Sequence, residues 1–181
     1  MPSTARQYAA RFPRCAIMLA VAGLAVTTVA DTAPARPRAA SRPAAQTNTQ
    51  AVAAATAKFY AALNTMFTGN GQPMKDAWSH AKDVVYMGPD GQYLIGWDKI
   101  EPRWTAQAAA KLGGHVNAEQ LNVIASADLG IVTCVEVGEN IVNGKTEAVR
   151  LRATNVFRKE AGVWKMISHQ TDLLGYMNKP G

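Results

Sequence analysis

The chain has 181 residues and a formal net charge of +6 at pH 7, with 19 Lys and Arg against 13 Asp and Glu. Six of the bases but only one acid precede residue 50, so the rest of the chain carries 13 bases and 12 acids and is almost neutral. A nucleic-acid-binding domain needs a basic surface, and we exclude that class because the excess charge lies in the first 50 residues. Cys134 is the only cysteine beyond Cys15, which excludes a disulfide framework within the domain.

The first thirty residues have the pattern of a signal peptide. Three arginines and no acid occupy residues 1–14, a charge-free apolar run follows from 15 to 30, and the run closes on the small residues Thr28-Val29-Ala30. This run is shorter than the ~20 residues of a membrane-spanning helix. We therefore predict a signal peptide over 1–30, export to the periplasm or secretion, and no membrane association after the signal is removed.

Residues 31–49 are rich in Ala, Pro, Thr and Arg and contain no large apolar side chain. Such a segment buries too little surface to offset the entropy of ordering, and we predict a disordered linker. The remaining residues, 50–181, are long enough for one domain with a real core.

The first half of this domain predicts three helices and a small hairpin. Apolar side chains recur at helical spacing in the three helical segments, and Pro73 suits the first turn of the second helix. Asp98 is the predicted N-cap of the third helix, with Glu101 as its partner in a capping box. The predicted elements are a helix at 51–67, a helix at 73–81, a hairpin at 84–95 and a helix at 98–112.

The second half predicts four long strands at 115–125, 130–142, 146–158 and 163–172. Asn143-Gly144 is the strongest local signal, because this pair fits the type I′ turn of a β-hairpin. Strands of this length must twist and curl, so the sheet has a concave side that the helices can cover. The predicted fold class is α+β, a strongly curved, mostly antiparallel sheet covered by three N-terminal helices.

Three segments carry a family resemblance: Phe59-Tyr60-Ala61-Ala62-Leu63, then Tyr86-Met87-Gly88-Pro89-Asp90-Gly91 with Gly96, then Ala153 to Arg158 leading into Gly162 to Gln170. In this order they resemble the SnoaL-like branch of the nuclear transport factor two-like superfamily, whose cone-shaped fold is shared with ketosteroid isomerase. The resemblance spans 51–175. It implies a pocket between the concave sheet face and the helices, and a homodimer through the outer face. Superfamily members include isomerases, cyclases, hydratases and binding domains, so the fold selects no activity.

Strand alternation predicts which side chains face the pocket. In the third long strand, Asn155 lies on the apolar side, whereas Arg150, Arg152 and Arg158 lie on the other side and form a solvated row that can pair with Glu136 or Glu147. In the last strand Lys165 marks the outer side. Alternation then turns Trp164, Met166, Ser168, Gln170 and Asp172 inward and His169 outward. The predicted ligand-binding residues are Trp78, Tyr86, Trp104, Asn155, Ser168 and Gln170.

The candidate catalytic residues are Asp172, His169 and Tyr86. Asp172 is the one carboxylate that alternation places near the pocket, and the resemblance to ketosteroid isomerase implies a base of this type with a tyrosine that holds the oxyanion. His169 is a base near neutral pH if a bulge turns the end of its strand inward. No second inward carboxylate is evident, so the catalytic pattern is incomplete.

The leading hypothesis is an exported domain that binds a small, largely apolar molecule and forms a homodimer, with no demonstrated catalysis. The first alternative is an isomerase or cyclase that abstracts a proton next to a carbonyl. The second is a non-catalytic protein-interaction module that uses the outer sheet face. We expect no cofactor, because no glycine cluster has phosphate-loop spacing, and no metal, because His80, His115 and His169 are scattered over three elements.

Overall fold

The computed structural model describes residues 42–177. The predicted signal peptide at 1–30 and the linker up to residue 41 lie outside this range. The helices are α1 (Arg42–Met66), α2 (Gln72–Ala77) and α3 (Trp97–Ala110). The strands are β1 (Val85–Met87), β2 (Tyr93–Ile95), β3 (His115–Ala125), β4 (Leu129–Val142), β5 (Lys145–Glu160) and β6 (Val163–Thr171).

The six strands form one open sheet in the order β2-β1-β6-β5-β4-β3. Every neighbouring pair is antiparallel except β1 and β6, which run parallel. Asn143 and Gly144 have φ values of 52° and 75°, as a type I′ turn between β4 and β5 requires. The predicted α+β class with a mostly antiparallel sheet is therefore confirmed.

The helices cover one face of the sheet, and the core lies between them. Helix α1 contacts β3, β4 and β6, and its residues Val52, Phe59 and Met66 are fully buried. Helix α3 adds Ile100 and Trp104 to the same core. The long strands thus present an inner face to the helices and leave an outer face free of them.

Helix α1 begins nine residues before its predicted start. Residues 42–49, which their composition assigns to the linker, are helical. Pro43 is tolerated in a first helical turn, and the alanines that follow favour helix. Asn48 donates a 2.8 Å hydrogen bond from Nδ2 to Ser126 O, which ties this end of α1 to the turn between β3 and β4.

Two predicted details of the shorter helices are wrong. Helix α2 ends at Ala77, because the backbone at Trp78 bridges Met166 of β6 in a parallel pairing. Helix α3 is preceded by Gly96, which has a φ of 92°, and no side chain caps it. Asp98 lies inside the first turn of α3, and Glu101 pairs with Lys75 of α2 instead of closing a capping box.

A bulge in β6 decides which residues face the interior. Phe157 pairs with Met166 and the preceding residue Val156 pairs with Ser168, so Ile167 is an extra residue in β6. An extra residue inverts the alternation beyond it. Met166 and His169 are consequently both buried, although they are three positions apart.

No helix within residues 42–177 combines the length and the apolar character needed to cross a bilayer.

Candidate functional site

A small cavity lies between the inner sheet face, helices α1 and α3, and the turn that follows β6. Its wall is largely apolar, and Glu136 and His169 of the sheet add a carboxyl group and an imidazole to it. The other lining residues are Leu63, Phe67, Tyr86, Pro89, Trp104, Gln107, Leu112, Val116, Asn140, Val149, Leu151, Leu174 and Met177. An apolar wall with a few polar groups is the usual make-up of a small-molecule site.

The cavity is small for a ligand-binding site. Its volume is about 40 Å³, whereas pockets that hold small molecules usually measure roughly 300–1,000 Å³. Large aromatic side chains occupy the space, since Phe59, Tyr86 and Trp104 are buried to 98% or more. The pocket between the sheet and the helices is therefore largely filled by side chains.

The segment after β6 closes the mouth of the cavity. Leu174 and Met177 line it, and the backbone N–H of Leu174 donates a 2.9 Å hydrogen bond to Pro89 O. Tyr176 adds a 3.3 Å hydrogen bond from its hydroxyl to Asn140 Oδ1. These two hydrogen bonds connect this segment to the β1–β2 turn and to β4.

A buried hydrogen-bond network joins the sheet to α1 beside the cavity. Asn155 Nδ2 donates to the Tyr60 hydroxyl over 3.1 Å, and this hydroxyl donates to Glu136 Oε1 over 2.9 Å. Cys134 Sγ lies 3.2 Å from the same hydroxyl. His169 Nδ1 lies 2.6 Å from Asn155 Oδ1, and His169 Nε2 lies 4.0 Å from Glu136 Oε1.

Burial sets the protonation of the two ionisable residues. Desolvation raises the pKa of Glu136 to about 7, although the hydrogen bond from Tyr60 acts in the opposite direction. Desolvation lowers the pKa of His169 to about 4. The imidazole is therefore neutral near pH 7, while the carboxyl group of Glu136 is poised between its two forms.

Two tyrosines next to this pair keep their protons. Burial, and then the neighbouring Glu136, raise the pKa of Tyr60. Burial also raises the pKa of Tyr86, and this outweighs the opposing effect of Arg103. The Tyr86 hydroxyl lies against Gly88, where a Cβ would come within 1.9 Å of it, so glycine at this position makes room for the phenol.

His169 is buried, and the prediction that it faces outward is wrong. The bulge at Ile167 turns it inward, where its exposed fraction is 5% and its ring packs against Phe59 at 5.1 Å between centroids. Its ring also stacks on Tyr86 at 6.0 Å. The structure therefore brings two of the three candidate catalytic residues together.

Asp172 lies on the outer side, and the prediction that it faces the pocket is wrong for the same reason. Its carboxylate binds Arg152 through Nε at 2.8 Å and Nη2 at 2.9 Å, and it also accepts the backbone N–H of Arg152. The hydrogen bonds from Arg152 lower the pKa of Asp172 to about 2. A carboxylate stabilised in this way is a poor base.

The bulge also removes Ser168 and Gln170 from the predicted ligand-binding set, because neither lines the cavity and Gln170 is exposed. Asn155 faces inward as predicted and is fully buried. It does not line the cavity, but its contact with His169 Nδ1 positions the imidazole. Tyr86 and Trp104 do line the cavity. Trp78 is buried beside Trp104, at 5.7 Å between ring centroids, and is a core residue outside the lining.

Sequence reasoning misses Glu136, the most unusual residue of the site. Glu136 pairs with Leu151 of β5, faces the helices and is 5% exposed, so it takes no part in the outer arginine row. A signal was available, because Glu136 alternates with Val132 and Cys134, two residues of the apolar side of β4. Tyr60 also belongs to the site and appears in the sequence only as part of the family resemblance.

Among residues 42–177, no three His, Cys, Asp or Glu side chains cluster closely enough to hold a metal ion.

The fold and the site together define the class of protein: a cone-shaped α+β domain with an ionisable pair on its concave face. Residues 46–172 match the family model of the SnoaL-like domain. This match covers well over half of the chain, and the protein belongs to this family. A search of curated proteins finds no match.

Solved structures of the nuclear transport factor two-like family share the architecture. A protein from Streptomyces avermitilis provisionally named a dehydratase is 21% identical, with a TM-score of 0.63 over 72% of this chain and 99% of that one. One from Shewanella frigidimarina provisionally named a ketosteroid isomerase is 18% identical, with a TM-score of 0.55 over 67% of this chain and 94% of that one. At these identities the likeness shows the fold alone.

Proposed function

We propose that this SnoaL-like domain binds a small, largely apolar molecule in the inner cavity, with a polar atom of the ligand against Glu136 and His169. The observation that carries the proposal is the ionisable pair in an otherwise apolar wall, on the concave face of the sheet. Burying a carboxyl group without a cation is costly. A ligand that offers it a hydrogen-bond partner offsets part of that cost.

Binding requires the cavity to widen, and the segment after β6 is the part that moves in this proposal. Leu174 and Met177 fill the mouth, while the adjacent Leu173 is 56% exposed. The residues behind them belong to the packed sheet and to the aromatic core. Displacing one short segment is therefore the least costly way to admit a ligand.

Leu174→Ala tests this route, with Leu173→Ala as a matched control one residue away. Wild type and both variants of the full chain are screened by thermal shift against apolar molecules that carry one polar group. We expect binders of the wild type to bind Leu174→Ala more tightly and to bind Leu173→Ala with unchanged affinity, because Leu174 lines the cavity and Leu173 does not. If no compound stabilises any of the three proteins, the binding proposal fails.

A second candidate function is proton abstraction next to a carbonyl, as in an isomerase or cyclase. The observation that favours it is that Glu136, His169 and Tyr86 line one cavity, whereas Asp172 does not. Glu136 then acts as the base, since its pKa of about 7 suits proton transfer at neutral pH. The relatives provisionally named ketosteroid isomerase and dehydratase share the fold for such chemistry.

Deuterium exchange tests this second function without a known substrate. Small ketones in D₂O are incubated with the full chain, and loss of their α-proton signals is followed by NMR. We expect exchange above the buffer rate that Glu136→Gln abolishes and Asp172→Asn leaves unchanged. Equal rates for wild type and Glu136→Gln exclude Glu136 as the base.

The homodimer is a separate proposal and concerns the outer sheet face. Val135, Val137 and Val156 lie there, half-buried, in a face that none of the helices α1 to α3 covers. A second copy that packs on this face buries these valines. Sedimentation velocity on wild type and Val156→Asp measures the association, and a monomeric wild type contradicts the proposal. A different protein partner on the same face is the alternative of an interaction module.

Export is likewise proposed, from the pattern at residues 1–30. Fractionation of expressing bacterial cells followed by N-terminal sequencing of the mature protein tests it. A new N-terminus near residue 31 in the exported fraction supports cleavage, whereas an intact N-terminus in the cytoplasm contradicts it.

A further inference from the structure

The hydrogen-bond network fixes which atoms of Glu136 and His169 remain available to a ligand. Asn155 Oδ1 is an acceptor, so the 2.6 Å contact requires the proton to be on His169 Nδ1. Because a neutral imidazole carries one N–H, Nε2 keeps a free lone pair. Glu136 Oε1 already accepts the Tyr60 hydrogen bond, and it faces this lone pair over 4.0 Å.

The side of the cavity formed by α3 offers one donor and one acceptor without partners in the part of the chain that the structure describes. Trp104 is 2% exposed and lines the cavity, and its indole Nε1–H has no acceptor among residues 42–177. Gln107, one helical turn later, is 6% exposed and lines the same cavity, and its Oε1 has no donor among those residues. Trp78 Nε1 also lacks an acceptor within that range, but Trp78 does not line the cavity.

Buried polar groups without partners are costly, and a ligand in the cavity is positioned to supply the missing ones. We infer that the ligand is a small, largely apolar alcohol, whose hydroxyl donates to the Glu136 and His169 pair and accepts from Trp104 Nε1. The inference rests on the proposed binding function and names the ligand class of that site. A hydroxyl is suited because one atom group both donates and accepts.

Other head groups match the wall less well. A carboxylate only accepts, and it places a second negative charge next to Glu136. An ammonium can donate to His169 Nε2 and to Gln107 Oε1, but it leaves Trp104 without an acceptor and depends on an ionised Glu136. A ketone accepts from Trp104 but has no proton for His169 Nε2. An alcohol also adapts to both protonation states of Glu136, since its oxygen accepts when the carboxyl group is protonated.

A matched set of probes separates these head groups: benzyl alcohol, benzylamine, benzaldehyde, benzoate and toluene. Dissociation constants for the full chain are measured at pH 6 and pH 8 by NMR titration, with the Trp104 indole proton as the reporter and Trp104→Phe as its assignment control. We expect benzyl alcohol to bind about tenfold more tightly than toluene and benzoate. Its affinity changes less than about threefold between the two pH values, and it shifts the Trp104 indole signal downfield.

The outcomes distinguish the alcohol inference from the proposed binding function on which it rests. If toluene or benzaldehyde binds as tightly as benzyl alcohol, the cavity binds ligands but the alcohol inference is overturned. If benzylamine binds best and gains tenfold or more at pH 8, the ligand class is an amine and the inference is overturned. If none of the five probes binds either the wild type or Leu174→Ala, the binding function fails as well. Trp104→Phe lacks the reporter proton, so its affinities are measured from the NMR signals of the probes; we expect benzyl alcohol to lose several-fold in affinity and toluene to change less.

Discussion

Glu136 and Asp172 are carboxylates on opposite faces of one sheet, and the two faces give them opposite properties. Glu136 faces the helices, is 5% exposed and has a pKa raised to about 7 by desolvation. Asp172 faces outward, is bound by Arg152, and has a pKa lowered to about 2 by those hydrogen bonds. The face on which a carboxylate lies therefore decides whether it is available for proton transfer.

The basic residue that faces each carboxyl group also differs between the two faces. Asp172 pairs with a guanidinium that is always charged, whereas Glu136 faces an imidazole that burial keeps neutral. A buried carboxyl group with a neutral neighbour retains its proton to higher pH. The inner pair is thus sensitive to pH near neutrality, and the outer pair is not.

The largest expected effect is on the pH dependence of stability in Glu136→Gln. The folded state holds the Glu136 proton to about pH 7, while the unfolded chain loses it near the ordinary value of 4.5, so ionisation destabilises the wild type as pH rises through this window. Gln does not ionise. We expect the variant to gain about 3 kcal/mol relative to wild type between pH 4.5 and 7.5, measured by urea unfolding at each pH.

His169 acts in the opposite direction within that window. Its pKa is lowered to about 4, so the unfolded state binds the extra proton and stability rises with pH from about 4 to 6.5. In the wild type the two residues offset each other. The other groups near Glu136, Tyr60 and Cys134, keep their protons because burial raises the pKa of each. A constant difference between variant and wild type across pH means that Glu136 is not perturbed.

A smaller effect is expected for Asn155→Ala on the inner face. The change removes the acceptor of His169 Nδ1 and the donor to Tyr60, and leaves buried polar groups without partners. We expect a loss of about 2 kcal/mol in the free energy of unfolding. Thr154→Ala, one residue earlier on the outer face, is the control and should cost less than about 0.5 kcal/mol. Equal losses for the two variants contradict the network.

Gly88→Ala probes the position of the Tyr86 hydroxyl at the edge of the inner face. The new Cβ comes within 1.9 Å of that hydroxyl and 2.2 Å of the ring carbon that bears it. We expect a loss of about 1 kcal/mol and a shifted NMR signal of the Tyr86 ring. Gly175→Ala has no atom within 4 Å of its new Cβ and serves as the control. An unperturbed Tyr86 in Gly88→Ala contradicts this packing.

The smallest effect is expected on the outer face, for Asp172→Asn. Arg152 is 84% exposed in this pair, so water and salt screen the interaction. We expect no measurable change in the thermal midpoint at 0.15 M salt and no change in ligand binding. If Asp172→Asn loses ligand binding, Asp172 belongs to the binding site, and the contrast drawn between the inner and outer carboxylates is wrong.

The strands and the hairpin turn were predictable because their signals are local. The β-rich runs end at turn residues, and Asn143-Gly144 suits only a few backbone conformations, so all four long strands fall within two residues of their predicted bounds. The start of α1 was less predictable, because its stability near residue 48 depends on the distant Ser126. Local composition carries no information on such a contact.

The site was only partly predictable, and the bulge at Ile167 explains most of the difference. Nothing in this β-rich run indicates an extra residue, since isoleucine fits a regular strand as well as a bulge. Regular alternation then assigns Asp172 and His169 to the wrong faces. The inward position of Glu136 was predictable, because alternation along β4 places it on the same side as Cys134. The size of the cavity depends on how side chains pack in three dimensions, which strand alternation does not determine.

Cys134 gives the buried network a chemical reporter. Its thiol is buried, lies 3.2 Å from the Tyr60 hydroxyl, and has a pKa that burial raises. Thiol-labelling reagents require an accessible thiolate, so in a Cys15→Ser background the rate of modification measures how often α1 separates from the sheet. A compound that occupies the interior slows this labelling, which provides a screen that needs neither a substrate nor a spectroscopic probe.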